Sequence, residues 1–315
     1  MPATNSNRGQ TPHALSHRVK DRQPMLMIVC GETGVGKTYR SVLELFKYLK
    51  DDPEKGKFGR KIIGFDANGD DFPMFRTVAL EDLSKLRAVQ ARRILPIHPD
   101  GSPMTMSEKR DVVAAIVKSF KNGLIVLEDP DKYMVGAKGQ DVVGLLTTNR
   151  HSGLDIVVSH QSVAKITTTE WENCTWLRLH HQVDDISRYK NRIPNYFIVR
   201  IASFIVNEQY SAATQAANRG EVSPEEYRYY KSFFVYVDMR KLRIRGCSKG
   251  AYIRACKRYI DTEEQRRIKT MLLERDGRGK PVYKDHHTAA LHLLVKYMRH
   301  YEATEASPLE QEHAS

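Results

Sequence analysis

Residues Gly31, Glu32, Thr33, Gly34, Val35, Gly36, Lys37 and Thr38 restrict this chain more than any other stretch. They satisfy the pattern Gly-x-x-x-x-Gly-Lys-Ser/Thr at every fixed position, a pattern that carries meaning only between a strand and a helix. Both flanks are present. Met25–Cys30 is an apolar run of strand length, and Val42, Leu45, Phe46 and Leu49 repeat at helical spacing. In such a unit the glycines let backbone N–H groups turn inward around phosphate oxygens at the positive end of a helix. Lys37 then offers a point charge to the terminal phosphates, and Thr38 offers its hydroxyl to Mg2+. The eight residues therefore imply ATP and Mg2+ as cofactors.

The rest of the chain supplies a frame for that loop. Apolar strands are expected at Met25–Cys30, Lys61–Phe65, Ile94–Ile97, Leu124–Leu127 and Ile156–Val158. Helical patterns lie between them near 37–50, 80–91, 107–121 and 139–150. Strands alternating with helices predict an α/β fold, a mostly parallel sheet with helices on both faces. The helix at 107–121 is the best marked: Thr105 and Glu108 have capping-box spacing, and Asn122-Gly123 ends it. Beyond residue 160 the pattern loosens. Thr175–Leu179 and Phe233–Val237 read as strands, Lys241–Arg245 as a hairpin partner of the second, and 184–231 as mixed. Two helices split by the turn-rich Asp276–Pro281 are expected over 262–302. The organisation predicted is a disordered arm at 1–23, a P-loop domain over 24–260, a basic helical region over 261–302, and a disordered tail at 303–315.

Bulk properties exclude other classes. No apolar run approaches the ~18 residues of a membrane span, and the polar N-terminus has no signal-peptide core. Cys30, Cys174, Cys247 and Cys256 show no CxxC spacing and suit a reducing compartment, so a cytoplasmic protein is expected. The net charge of +12 is unevenly placed, since residues 240–300 hold 17 Lys/Arg against 6 Asp/Glu. Basic charge clustered at one end suits a polyanion, most often nucleic acid, or is a solvated helical face.

Three further clusters carry candidate chemistry. The strand Leu124–Leu127 runs into Glu128 and Asp129, and strand C-termini in open α/β sheets face the ligand crevice. One carboxylate can hold Mg2+ and the next can polarise the attacking water. By position Glu128 is the metal-side acid and Asp129 the base, although the usual order in such motors is Asp then Glu. Asp66-Ala-Asn-Gly-Asp70 either contacts the water or metal or is an ordinary Asn-Gly turn. In the run from Arg150 to Gln161, Gln161 ends a strand and can read the γ-phosphate. Arg150 either reaches a nucleotide on a neighbouring subunit or favours a helix C-terminus. The histidine pairs 180–181 and 286–287 lack a ligand constellation and take surface or packing roles.

The run Arg150-x-x-Gly153, an apolar strand and Gln161 resembles the sensor segment of the FtsK–HerA superfamily of DNA-pumping ATPases, P-loop enzymes of the RecA/ASCE kind. Cys174–Leu179 followed by Val183–Arg188 looks like the next strand of that family and its Asp-Ser-Arg turn. Phe233–Asp238 with Arg243–Gly246 resembles its closing hairpin. The resemblance covers about residues 24–260. It implies a pentameric or hexameric ring that threads DNA, most often duplex, by ATP hydrolysis, with Arg150 acting in trans and Gln161 as sensor. The compact length looks more like the viral genome-packaging branch, which would dock on a capsid vertex or portal and work in the host cytoplasm or virion. A filamentous-phage assembly ATPase of the zonula occludens toxin type is a neighbouring reading. Members of that type commonly carry a membrane segment, and none is visible in this sequence. The third reading is a nucleotide-dependent assembly switch that binds nucleic acid through its basic tail.

Overall fold

The computed structural model describes residues 24–52, 54, 58–134 and 152–303. The helix expected at 139–150 and the candidate Arg150 lie outside the described residues, as do the arm at 1–23 and residues 304–315. Among the described residues the strands form one mixed, mostly parallel sheet of the P-loop NTPase kind, in the order β3-β4-β2-β5-β6-β1-β7-β8-β9. Its strands are β1 (Leu26–Cys30), β2 (Lys61–Phe65), β3 (Arg76–Thr77), β4 (Ala91–Ile94), β5 (Gly123–Glu128), β6 (Asp155–His160), β7 (Trp176–His180), β8 (Phe234–Asp238) and β9 (Arg243–Arg245). The helices are α1 (Lys37–Leu49), α2 (Met106–Ser119), α3 (Thr168–Asn173), α4 (Tyr196–Asn218), α5 (Pro224–Lys231), α6 (Lys249–Glu263), α7 (Gln265–Leu273) and α8 (His286–Met298). No helix among these residues is long and apolar enough to cross a membrane.

By its contacts the chain divides into two units. The first holds Leu45–Glu128 and Lys132–Val157. There β2 pairs in parallel with β4 and β5, and β3 pairs in parallel with β4. Helix α2 has the capping box that its sequence announced, with Thr105 and Glu108 bonded reciprocally, and it buries Val112, Val113, Ile116 and Val117. Two expectations need correction in this unit. The strand placed at Ile94–Ile97 runs instead over Ala91–Ile94, and the helix placed at 80–91 is a short 3-10 turn, Leu80–Lys85. The cause is pairing. Ile62 N–H bonds to the Gln90 carbonyl at 2.9 Å and β2 continues alongside Ala91 to Ile94, so the chain must be extended from residue 90 onward. Arg93 is tolerated in that strand because its guanidinium meets the buried Asp66 carboxylate at 2.9 Å.

The second unit holds Met27–Glu44, Asp129–Asp131 and Val158–Ser315. Here β1 pairs in parallel with β7, while β8 and β9 continue as an antiparallel hairpin. Helix α4 is the element that the mixed reading of 184–231 missed. Its first half, Tyr196–Val206, is buried at nearly every position, so no amphipathic period exists to be read, and Asn195 enters it in the left-handed region at φ 52°. One hydrophobic cluster joins Ile28, Leu177, Val235, α4 and α6 to Ile268, Met271, Leu293 and Tyr297 of the C-terminal helices. The turn-rich breaker separates α7 from α8 as its composition implies.

Candidate nucleotide site

The loop from Gly31 to Thr38 sits between β1 and α1 and is fixed at its entry. Gly31 N–H donates to the His160 carbonyl at 3.3 Å and Glu32 N–H to the His181 carbonyl at 3.0 Å, which ties the loop to the ends of β6 and β7. A side chain at Gly31 would stand 2.6 Å from His180 Cβ. Gly34 and Gly36 adopt φ of 83° and 84°, the left-handed region that turns successive N–H groups toward one centre. Lys37 is only 8% exposed; its Nζ donates to the carbonyls of Gly31 at 2.7 Å and Glu32 at 2.9 Å. The ammonium is thus held over the loop rather than in solvent. Thr38 is half-buried in the first turn of α1.

Arg178 of β7, fully inside the protein, braces this helix start from beneath. Its guanidinium donates to the Lys37 carbonyl at 3.2 Å and to Ser41 Oγ at 2.5 Å. Arg40, one turn along, donates to Ser232 Oγ at 2.9 Å and lies over the Tyr229 ring at 4.3 Å. His180 is buried beside Phe234 at 5.1 Å. Burial, then the charges of Arg178, Lys37 and Arg40, hold it neutral, well below the ordinary histidine range. His181 stacks on Tyr210 at 3.7 Å and bonds to Asn207. Both histidines take packing roles.

Glu128 ends β5 with its side chain buried, and the Tyr133 hydroxyl donates to its backbone carbonyl at 3.1 Å. Asp129 comes next in the left-handed region at φ 46°, a conformation that Asp tolerates better than most residues. Gln161 Nε2 donates to Asp129 Oδ2 at 3.0 Å, so two candidates chosen from distant parts of the sequence meet. Because the carbonyl of the preceding residue, His160, accepts from Gly31, this pair stands at the base of the phosphate loop. Arg150 lies outside the described residues.

Three participants escaped the sequence reading. His160 is 2% exposed and lies between Asp131 Oδ1, 3.0 Å from Nδ1, and Glu170 Oε1, 3.1 Å from Nε2. Burial opposes charge on the ring, but the bonds to Asp131 and Glu170 outweigh it and push the pKa up to about 9. Burial also works against charge on Glu170, yet the same bond and the cap to Thr167 hold its carboxyl below its usual range. The readable signal was Thr167-Thr-Thr-Glu170, a capping box that forms in full. Nothing in the sequence linked it to His160.

Of the two readings left open for Asp66–Asp70, the geometry supplies the turn. Asp66 accepts from the N–H groups of Gly69, Asp71 and Phe72 and from Arg93. Its carboxylate organises that turn, and Asp70 and Asp71 bring carboxylate oxygens within 4.8 Å of it.

The donor set suits a magnesium–nucleoside triphosphate. A glycine-shaped run of N–H groups at the N-terminus of a 13-residue helix, with a lysine held over it, fits phosphate. The hydroxyl of Thr38 is a hard oxygen donor of the sort Mg2+ takes.

The sequence model of the family described as Zonular occludens toxin (Zot) matches residues 25–232. No curated protein sequence matches the chain. Among solved structures, the chain is similar to the genome packaging NTPase B204 from Sulfolobus turreted icosahedral virus 2 in complex with AMP. Identity there is 14%, with 70% of this chain and 95% of that chain covered and a TM-score of 0.42. It is also similar to the N-terminal domain of zonular occludens toxin from Neisseria meningitidis, at 14% identity, covering 51% of this chain and 77% of that chain with a TM-score of 0.29.

Proposed function

Because the chain belongs to the zonular occludens toxin family, a P-loop ATPase family in keeping with the FtsK–HerA resemblance of its sequence, we propose that it is an ATP-hydrolysing motor that moves DNA during virus assembly. Of the two branches weighed from the sequence, the family match supports the filamentous-phage reading. The observation that carries hydrolysis is the Gln161–Asp129 bond of 3.0 Å at the base of the loop. A carboxylate held by a strand-end amide is oriented before substrate arrives, the requirement for a general base or a water-positioning group.

Each group has its own role. Backbone N–H groups of Gly31–Thr38 and the Lys37 ammonium bind the phosphates, and Thr38 with Glu128 would hold Mg2+. When bound, the ion neutralises charge on the β- and γ-phosphates. Asp129 takes the proton from the attacking water, and Gln161 fixes Asp129 and reports on the γ-phosphate. Arg150 completes the site of a neighbouring subunit in a pentameric or hexameric ring, and docking on a capsid vertex or portal belongs to the packaging form of the same motor.

The test is ATP hydrolysis with and without duplex DNA. Lys37→Ala and Asp129→Asn should each lower turnover at least a hundredfold, and DNA should stimulate the parent. Arg150→Ala subunits, inactive alone, should recover activity when mixed with Asp129→Asn subunits. Hydrolysis indifferent to DNA and to Arg150 would instead identify an assembly switch.

A further inference from the structure

The family match ends at residue 232, and an ordered basic surface lies after it. Helix α7 buries Ile268 and Met271 and turns Arg266 and Lys269, three residues apart and so neighbours on one face, to solvent. It leads into a tight hairpin. Arg275 and Pro281 form an antiparallel bridge, Val282 N–H bonds to the Glu274 carbonyl at 3.1 Å, and Asp276 N–H bonds to the Lys280 carbonyl at 2.8 Å. The Asp276 carboxylate accepts from the N–H groups of Arg278 at 2.9 Å and Lys280 at 2.8 Å. It is used up inside the turn, and the side chains of Arg278 and Lys280 stand exposed at the tip. Lys284 comes after them, also exposed, before Asp285 caps α8 through Thr288.

Charge in this segment is sorted by sign. Asp276 and Asp285 are committed to backbone caps, Glu263 to Lys190 and Arg200, and Glu264 to Tyr297 and Arg267. Asp261 and Glu274 are the remaining acids of the stretch. The cations face outward from a rigid frame, since α7 and α8 are anchored in the core by Ile268, Met271, Ala289 and Leu293. Ordering cationic side chains on a fixed turn is the arrangement that phosphate contacts favour, because little backbone entropy remains to be lost on binding.

We propose that Arg266, Lys269, Arg278, Lys280 and Lys284 form a docking surface for duplex DNA, with the 274–282 hairpin lying against the phosphate backbone. This rests on the DNA-motor reading above and specifies where the strand is gripped. Duplex is favoured over single strand because single-strand surfaces add aromatic platforms for bases. Among the described residues of 262–302 no Phe, Tyr or Trp is exposed, and Tyr283, beside the hairpin, is half-buried edge-on to His292 at 5.3 Å. The charged contacts offered by Arg266, Lys269, Arg278, Lys280 and Lys284 are cationic, and cations read backbone rather than sequence.

The experiment titrates the full chain against a labelled duplex of ~30 base pairs and a single strand of equal length over a range of salt. The variant is Arg266→Gln, Lys269→Gln, Arg278→Gln and Lys280→Gln combined. Its control replaces four exposed cations of the first unit, Arg76, Lys85, Lys118 and Lys121, with Gln. Losing four phosphate contacts should flatten the log–log salt slope by about 3–4 and weaken duplex binding at least a hundredfold at ~0.1 M salt. The control should change the slope by less than about 1. Equal effects from both sets would overturn the proposal, as would tighter binding of the single strand or no binding of duplex by the parent. Basal ATP hydrolysis without DNA is read in parallel. Its absence in the parent sinks the motor reading while the binding result still stands, and its retention in the variant separates grip from chemistry.

Discussion

His160 gives the sharpest quantitative expectation, because an imidazolium buried between two carboxylates ties its charge state to folding. An ordinary histidine titrates near 6.5, and the ring here is raised to about 9. The folded pKa lies above the unfolded one, so the stabilisation is complete below about pH 6.5. It declines through the interval and is lost as pH rises past about 9. The gap corresponds to on the order of 3 kcal/mol. His160→Ala forfeits that term and leaves a cavity whose cost does not depend on pH. Chemical denaturation of parent and variant should therefore show a stability difference that is largest near pH 6.5 and shrinks by roughly 3 kcal/mol by pH 9.5. A difference constant to within about 1 kcal/mol across that window would mean the ring is neutral in the folded protein. The account of Asp131 and Glu170 as its charge partners would then fail.

Other consequences test the loop and its surroundings. Gly34→Ala and Gly36→Ala both place a side chain at positive φ, costing about 1–2 kcal/mol. Only at Gly36 does the new Cβ also meet Ser232 Cβ, at 2.8 Å. Thermal unfolding without nucleotide should rank Gly36→Ala clearly below Gly34→Ala; equal midpoints would refute the close approach of residue 232. Asp66→Asn should lose about 2–4 kcal/mol through the buried Arg93 pair, while turnover of the folded enzyme stays within about twofold of the parent because its carboxylate is absorbed in a turn. A large loss of turnover with unchanged stability would return Asp66 to the active site. Arg178→Met removes the donors to Lys37 and Ser41 and should weaken nucleotide binding roughly tenfold or more, read by calorimetry.

What could be read from the sequence was what depends on local chemistry. The loop, the capping box at Thr105 and the strand Lys61–Phe65 all carry their signal within a few residues, and all three form as expected. Failures came where distant pairing decides the outcome. The helix expected near 80–91 stops at Lys85, and pairing with β2 extends the chain from residue 90 onward. Helix α4 buries so much of its first half that the period vanishes. The site behaves alike. Gln161 and Asp129 were each nominated by the strand they end, whereas His160, Asp131 and Glu170 are joined by contacts 10 and 29 residues apart that no spacing rule encodes.

The inverted order of the two acids has a structural reason on this backbone. In an extended strand, successive side chains point to opposite faces. Glu128 is the last residue of β5 and keeps the strand's alternation, with its side chain buried. Asp129 does not keep it. Its φ of 46° swings the chain out of the strand, and the carboxylate is then caught by Gln161. Two residues on, the chain is fastened again, since Asp131 is held by the ring of His160, the residue before Gln161. The end of β6 thus grips the segment after β5 twice, once through an amide and once through an imidazolium. A left-handed aspartate is costly to maintain and persists only where neighbours determine it. That double grip, by amide and by imidazolium, accounts for how Asp129 is kept in the left-handed region with its carboxylate on Gln161.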